Sequence, residues 1–328
     1  MPVRVAIPVL LSPGALRPRG QGDEIIVMTG RTMGTTWTVR AVLPARAPAP
    51  TDAAAVQRRI EAVLAGVVAE MSNWEPGSDI SRFNREPTWT WHTLPVGFMA
   101  VLRAGLDIAA RSGGAFDPAI GNIVDHWGFG PEGQAGSGAI VADAWQSIEI
   151  DGERARRTAD VALDFSGIAK GHGVDAVAAA LTAQGIADFL IEVGGELRGE
   201  GLKSDGQPWW VDLEGVPGLA VPPTRVALFG LSIATSGDYR RFRMRSGRRD
   251  SHSIDPRTGT PIRNGVASVS VLHPSAMLAD AWATALTVLG QGEGMALATR
   301  ENLAAVMVTR TPDGATEAQS PAFTAMLG

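Results

Sequence analysis

Two neighbouring segments towards the C-terminal end organise the sequence: SHSIDPRTGTPI at 251–262 and MLADAWATAL at 277–286. Asp280 and Thr284 stand four residues apart in the second segment, so on a helix both side chains share one face, one turn apart. Alanines on either side leave room for other groups. A carboxylate and a hydroxyl in this setting suit a hard cation such as Mg²⁺. The alternative is that Asp280 is an acid of the first helical turn and Thr284 bonds to its own helix.

The residues around these segments predict a strand followed by a helix. The run 266–272 is apolar and β-branched, as in strands, and Ser275 is a suitable helix N-cap. Gly290 and Gly292 predict the end of the helix. Upstream, six arginines lie between positions 240 and 249. They favour either a solvent-exposed basic ribbon or a strand that faces phosphate groups.

The segment VALDFSGIAKGHGVD at 161–175 predicts a strand, a glycine turn and a helix. Free backbone N–H groups at such a helix N-terminus suit an anionic ligand. Lys170 stands in the first helical turn, where a cation opposes the helix dipole. We therefore expect a negative partner near Lys170, and Asp164 is a candidate for that partner or for a ligand contact.

The N-terminal half contains two further segments that could border a ligand. The run 24–43 predicts a β-hairpin with its turn near 30–34; the turn MGTT is either a ligand border or a plain turn. A helix capped at Thr51 or Asp52 then leads into the polar segment MSNWEPGSDISRFNRE. Trp74 lies in this segment, which is either a solvated loop or the rim of a ligand site. A second helix is predicted from Pro95 to about Arg111.

Composition excludes several classes of protein. The chain has 328 residues, of which 45% are hydrophobic and 19% charged, so it can form a substantial core. Its net charge of −5 argues against general nucleic-acid binding. The absence of cysteine excludes disulfides, thiolate metal sites, a cysteine nucleophile and a lipid anchor. We interpret residues 1–23 as a loosely ordered N-terminal arm, because their apolar run is a weak signal-peptide candidate.

Eight segments share an order with one known family. They are RTMGTTW, MSNWEPGSDISRFN, GGAFDPAIGNIVDHWGFGP, LDFSGIAKGHGVD, IEVGGELRGEG, ATSGDYRRF, SHSIDPRTGTPI and MLADAWATAL. Through this ordered set the chain resembles the FAD:protein FMN transferases, the ApbE-type flavin transferases, over roughly residues 24–289. The resemblance implies an α+β fold of mixed sheets with flanking helices and an FAD cleft between two subdomains. The transferase domain would comprise 24–328.

The resemblance also implies an activity and a metal site. Family members cleave the pyrophosphate of FAD with Mg²⁺, pass FMN to a threonine hydroxyl of an acceptor flavoprotein and release AMP. By this resemblance Asp280, Thr284 and the backbone carbonyl of Gly167 would bind the metal. Ala283 stands where some members carry a second acid, which leaves the number of metal ions open. His252 or Asp280 would serve as the catalytic base.

The family's FAD contacts map onto eight positions of this sequence. Trp74 replaces a tyrosine of the family and can still stack on an aromatic ring. His252 would lie at the phosphates. The implied FAD contacts are Met33, Trp74, Ala115, Phe116, Asp117, Asp164, Lys170 and Ile254.

Two other functions remain open at the level of sequence. An FAD pyrophosphatase would use the same site with water as the acceptor, and a non-catalytic flavin-binding protein would bind FAD without cleaving it. The sequence does not identify the acceptor or the oligomeric state. The compartment is also left open: family members usually act outside the cytoplasm, and this chain shows neither a convincing signal peptide nor a lipidation cysteine.

Overall fold

The computed structural model describes residues 2–8, 11, 12, 14, 16, 24–43, 52–131, 141, 143–239, 242–245 and 248–327. Part of the arginine-rich segment and most of the predicted N-terminal arm therefore lie outside the described residues. The strands, in chain order, are β1 (Arg4–Ala6), β2 (Glu24–Thr32), β3 (Thr35–Leu43), β4 (His92–Thr93), β5 (Ile148–Asp151), β6 (Arg154–Arg157), β7 (Phe189–Val193), β8 (Glu196–Glu200), β9 (Trp209–Asp212), β10 (Thr224–Leu228), β11 (Leu231–Gly237), β12 (Phe242–Arg245), β13 (Arg248–Ser251), β14 (Ile254–Asp255), β15 (Thr260–Pro261), β16 (Val266–His273), β17 (Ala304–Thr311) and β18 (Gly314–Gln319).

Helices occur both between the strands and within the loops. They are α1 (Ala53–Met71), α2 (Asp79–Arg85), α3 (Val96–Ser112), α4 (Gly121–His126), α5 (Ala169–Ala183), α6 (Ala276–Arg300) and α7 (Pro321–Thr324). The polar segment that follows α1 was predicted as a loop, yet it contains α2. Ser78 caps this helix by accepting a hydrogen bond from the N–H of Ser81. No helix in the described ranges is long and apolar enough to cross a membrane.

An eight-stranded sheet forms the centre of the molecule, in the order β18-β17-β16-β11-β8-β7-β3-β2. All its neighbouring strands run antiparallel. Strands β2 and β3 form the predicted hairpin, whose turn is Met33–Gly34. Both faces of the sheet are covered, and the inner strand β16 is buried on both sides, whereas β8 carries Glu196, Arg198 and Glu200.

The side chains of one strand show how the two faces are divided. In β7, Phe189 and Ile191 pack with residues of α1 and α5, whereas Leu190 packs on the opposite face. Helices α5 and α6 lie on the first face, where α5 contacts β7 and β8 and α6 contacts β11 and β16. The two helices also contact each other, and they carry the predicted site residues Lys170, Asp280 and Thr284.

A smaller sheet covers the opposite face, in the order β1-β10-β9, together with α7. It is mixed, because β1 runs parallel and β9 antiparallel to β10. The sequence predicts a loosely ordered arm over 1–23, whereas Arg4–Ala6 is paired in this sheet. Ala6 is buried, and Arg4 forms an ion pair with Glu317 at 2.5 Å. These contacts with distant residues hold Arg4–Ala6 in place. Such contacts cannot be predicted from the local sequence.

Helix α6 continues past the glycines that were predicted to end it. Gly290 has a φ of 76° and interrupts the helix, but the chain returns to helical geometry and continues to Arg300. The Nδ2 of Asn264 donates to the carbonyls of Thr287 and Val288 at 2.9 and 3.1 Å. These carbonyls precede the interruption, so the asparagine replaces hydrogen bonds that the break removes. Gly290 is therefore a kink within α6 and not its end, because Asn264 bonds to the carbonyls that precede it.

Candidate active site

The N-terminus of α6 is fixed by a side chain from α5. One carboxylate oxygen of Asp175 accepts hydrogen bonds from Ser275 Oγ at 2.7 Å and from the N–H of Met277 at 3.0 Å. The other accepts from the N–H of Ala276 at 3.0 Å and from Arg198 at 2.6 Å. A carboxylate at a helix N-terminus satisfies free N–H groups and complements the dipole. Asp175 therefore sets where α6 begins relative to α5.

The two helices approach closely because residue 171 has no side chain. A Cβ built on Gly171 would lie 2.2 Å from the carbonyl oxygen of Ala276, a distance that no real contact reaches. The N–H of Gly171 donates to Asp280 Oδ2 at 3.1 Å. Asp280 is buried, with 4% of its surface exposed. The first turn of α5 thus contributes a backbone donor to a carboxylate in the second turn of α6.

Lys170 lies beside the same carboxylate. Its Nζ is 3.7 Å from Asp280 Oδ1 and 2.5 Å from Oε1 of Glu196, the first residue of β8. Burial, with a smaller contribution from the charge of Asp280, raises the pKa of Glu196 to about 7 against the opposing effect of Lys170. Asp164 was a candidate for the negative partner of Lys170 or for a ligand contact, and the structure shows ion pairs of Lys170 with Glu196 and Asp280.

Two of the predicted metal ligands, Gly167 and Thr284, are neighbours at the junction of α5 and α6. A Cβ built on Gly167 would lie 3.0 Å from Thr284 Oγ1, so the backbone of Gly167 runs beside that hydroxyl. Thr284 Oγ1 is 3.3 Å from Ser236 Oγ, which comes from β11. Asp280 and Thr284 follow one another along one face of α6, as the four-residue spacing predicts. The Gly167 backbone lies beside the Thr284 hydroxyl, and joint binding of a metal by Asp280, Thr284 and the Gly167 carbonyl stays a prediction.

Two turns pack against the start of α5, and one of them carries the predicted residue Met33. The Cε of Met33 lies 3.1 Å from the position of a Cβ built on Gly173, so the β2–β3 turn packs on α5. A Cβ built on Gly194, in the β7–β8 turn, would lie 2.8 Å from Thr35 and 3.4 Å from Cδ of Lys170. The glycine thus leaves space for the lysine stem. The RTMGTTW and IEVGGELRGEG segments meet at Lys170.

The Trp74 segment is hydrogen-bonded to the segment that precedes α5, where the structure has a single bridge between Ile120 and Ala162 in place of the predicted strand. Asn73 Nδ2 donates to the carbonyl of Leu163 at 3.2 Å, and Asn84 exchanges two hydrogen bonds with the backbone of Leu163. Asn73, which precedes Trp74, is therefore hydrogen-bonded to Leu163, which precedes Asp164. Asp164 itself is buried and accepts from the N–H of Ser166 at 2.7 Å. Trp74 is 60% exposed, so its ring is free to stack on a planar ligand.

The segment Ala115–Phe116–Asp117 is buried beneath the site. Phe116 Cε2 lies 3.4 Å from the Cβ position of Gly167. Asp117 accepts hydrogen bonds from the N–H groups of Ala119 at 2.7 Å and Trp145 at 3.2 Å. Both carboxylate oxygens of Asp117 thus hold backbone groups, and contact of this segment with FAD stays a prediction.

The buried carboxyl group of Asp117 should make the free energy of unfolding depend on pH. Burial is the main cause that raises its pKa from 3.8 to about 6. The folded protein then binds more protons than the unfolded chain between these values, so stability falls as pH rises from about 4 to about 6. The loss is about 3 kcal/mol, at ~1.4 kcal/mol per pKa unit. We expect urea unfolding at pH ~4 and ~7 to show a smaller pH-dependent loss in Asp117→Asn than in the wild type, and equal losses would contradict this origin.

His252 and Ile254 lie in a separate group of contacts. Ile254 is buried and pairs with Pro261 between β14 and β15. The ring of His252 meets that of Phe129 edge-to-face, with centroids 6.4 Å apart, and the guanidinium of Arg243 lies over the same phenyl ring. The position of His252 relative to Asp280 stays a prediction.

Comparison with known proteins identifies the family. The ApbE family matches residues 33–307, well over half of the sequence. The chain belongs to the ApbE family. An FAD:protein FMN transferase of Vibrio cholerae is 34% identical over 96% of this chain and 95% of its own length. A protein of the same name from Haemophilus influenzae is 33% identical over 97% and 95%.

A solved ApbE structure confirms the predicted fold class. The apo form of the Pseudomonas stutzeri flavinyl transferase ApbE superposes with a TM-score of 0.84 at 37% identity, over 93% of this chain and 98% of that one. The resemblance inferred from eight ordered segments is thus confirmed. Within this ApbE fold, sequence reasoning missed the roles of Asp175 and Glu196. Both lie in segments already quoted, but only the fold shows that Asp175 caps α6 and that Glu196 contacts Lys170.

Proposed function

We propose that this protein transfers the FMN moiety of FAD onto a threonine hydroxyl of an acceptor flavoprotein and releases AMP. The observation that carries this proposal is the junction of α5 and α6, where Lys170 lies 3.7 Å from the buried carboxylate of Asp280. Relatives of similar length that bear the name FAD:protein FMN transferase supply the reaction class.

The reaction exchanges one phosphorus–oxygen bond for another. The threonine oxygen attacks the phosphorus on the FMN side of the pyrophosphate, and the bond from that phosphorus to the bridging oxygen breaks. AMP leaves with the bridging oxygen, and the hydroxyl proton passes to a base. His252 and Asp280 are the two candidates for that base. Stabilising the charge on the phosphates and positioning the acceptor are the main tasks of such a site.

The residues at the junction fit Mg²⁺. Asp280, the Thr284 hydroxyl and the Gly167 carbonyl would hold it, and all three supply oxygen, which this ion prefers. No cluster of three or more His, Cys, Asp or Glu side chains suited to a metal occurs in the described ranges. A single protein carboxylate is compatible with Mg²⁺ when substrate phosphates complete its coordination. When bound, the ion neutralises phosphate charge and polarises the bond that breaks.

The protein's own groups bind and orient the nucleotide. In this proposal the Lys170 ammonium pairs with a phosphate oxygen and stabilises charge that grows during transfer. The ring of Trp74, which is exposed, would stack on a ring of FAD. The other proposed FAD contacts are Met33, Ala115, Phe116, Asp117, Asp164 and Ile254. We place FAD in a cleft between two subdomains.

Mass spectrometry of an acceptor flavoprotein tests this function. After incubation with the enzyme, FAD and Mg²⁺, the acceptor should gain one FMN group, and one AMP should be released for each group gained. An acceptor with its target threonine changed to valine is the control. Free FMN and AMP formed at the same rate without any acceptor would indicate a pyrophosphatase. FAD binding without any AMP would indicate a non-catalytic flavin-binding protein.

Lys170→Met is expected to weaken FAD binding. Loss of a charge-assisted contact to phosphate costs about 1.5–3 kcal/mol, which corresponds to a roughly 10- to 100-fold higher Kd. Quenching of tryptophan fluorescence during FAD titration measures this change. Lys203→Met is the matched control, because Lys203 is the second lysine of the chain and pairs with Asp205 in a turn. An unchanged Kd in Lys170→Met would remove this lysine from the FAD site.

A further inference from the structure

The β7–β8 turn places a buried carboxylate beside Lys170. Glu196 is 2% exposed and follows two glycines with positive φ, 63° at Gly194 and 109° at Gly195. The N–H of Gly195 donates to Glu192 Oε1 at 2.8 Å, which fixes the turn. A buried carboxylate is costly unless a cation compensates it. Within the described residues Glu196 Oε2 has no hydrogen-bond partner, so Lys170 provides its main compensation.

The same turn also guides the lysine stem. A Cβ at Gly194 would lie 3.4 Å from Lys170 Cδ, so the stem passes closely over the bare glycine backbone. The ammonium then reaches Glu196 at 2.5 Å while it stays 3.7 Å from Asp280. A flexible four-carbon stem has many rotamers in water. Contact at both the stem and the head restricts Lys170 to a few of them.

We propose that Glu196 is a positioning residue that holds the Lys170 ammonium away from close pairing with Asp280 and aims it at the substrate phosphates. This inference rests on the proposed function, because it assigns to Lys170 a phosphate of FAD. Without Glu196, the carboxylate of Asp280, 3.7 Å from the ammonium, is available to pair with it. A close pair there would occupy an oxygen that the metal requires and would withdraw the lysine from the nucleotide. Glu196 thus acts through Lys170 and need not touch the substrate.

A double-mutant cycle tests this role. The variants are Glu196→Gln, Lys170→Met and the double variant, and the measurements are the Kd for FAD with Mg²⁺ and the thermal midpoint Tm. We expect Glu196→Gln to raise the Kd about tenfold in the wild-type background and less than about twofold in the Lys170→Met background, since coupled residues are non-additive. We also expect Glu196→Gln to raise Tm in the Lys170→Met background, because it removes an uncompensated buried carboxyl group.

Two further variants separate positioning from general damage to the fold. Glu196→Asp retains the charge but is one methylene shorter, so it should give a Kd between those of the wild type and Glu196→Gln. Glu200→Gln is the matched control, because Glu200 lies on the same strand and pairs with Arg198 at 2.6 Å; its Kd should stay at the wild-type value.

The outcomes distinguish this inference from the proposed function. Equal effects of Glu196→Gln on the Kd in both backgrounds would overturn the positioning role, as would a wild-type Kd in Glu196→Gln. A wild-type enzyme that forms no FMN-modified acceptor overturns the proposed function, whatever the cycle shows.

Discussion

Asp280→Asn is expected to lower the rate of FMN transfer by about 10²- to 10³-fold, the loss typical when one group that stabilises transition-state charge is removed. The amide oxygen of asparagine can still accept the hydrogen bond from Gly171, so the junction of α5 and α6 should persist. The lost negative charge is what binds the metal in our proposal. The initial rate of AMP release, measured with acceptor over a range of Mg²⁺ concentrations, gives the size and the metal dependence of the effect.

The matched control for this variant lies on the same helix. Glu293 is exposed in α6 and is 3.6 Å from Arg257, so Glu293→Gln makes the same change of charge away from the junction and should retain the wild-type rate. Circular dichroism should show both variants folded. A folded Asp280→Asn enzyme with the wild-type rate and Mg²⁺ dependence would remove Asp280 from the metal site.

Asp175→Ala is expected to destabilise the protein by about 1–3 kcal/mol, the cost of leaving polar groups of a partly buried network without their partner. The change removes the acceptor of two N–H groups at the start of α6 and of Nη1 of Arg198, which keeps its second partner Glu200. Urea unfolding followed by circular dichroism measures the loss. Because Asp175 fixes the start of α6, we also expect slower FMN transfer below the unfolding midpoint.

An exposed ion pair supplies the comparison for this variant. Asp212 pairs with Arg225 at 2.7 Å between β9 and β10, and its side chain is 60% exposed. Such surface pairs contribute little to stability, so Asp212→Ala should unfold close to the wild-type midpoint. If Asp175→Ala unfolds at that same midpoint, the contacts of Asp175 do not determine the stability of the α6 N-terminus.

Local patterns predicted those parts of the site that lie within one element. The spacing of Asp280 and Thr284 places both on one face of α6, and Ser275 caps that helix as its residue type predicts. The glycine turn between 165 and 168 leads into α5 with Lys170 in the first turn. Periodicity and capping are properties of consecutive residues, so a single sequence contains the necessary information.

Contacts between distant segments were not predictable in the same way. Asp175 and Ala276 are separated by 101 positions, and no rule of spacing connects them. The β1 strand was missed for the same reason, because its partner β10 lies more than 200 residues away. Gly290 misled the prediction, since glycine usually ends a helix and the chain alone does not show that Asn264 bonds to the carbonyls before the break. The ordered resemblance to a family supplied the metal and nucleotide assignments that local rules left open.

The two hydrogen bonds from Asn264 to α6 couple that helix to a neighbouring hairpin. Asn264 follows directly on the hairpin that contains Ile254, and it grips α6 at residues 287 and 288, close to Thr284. These hydrogen bonds connect the hairpin to the helix, so we expect a displacement of one to move the other. Occupancy of the nucleotide site should therefore slow amide hydrogen exchange in the hairpin and in α6 together.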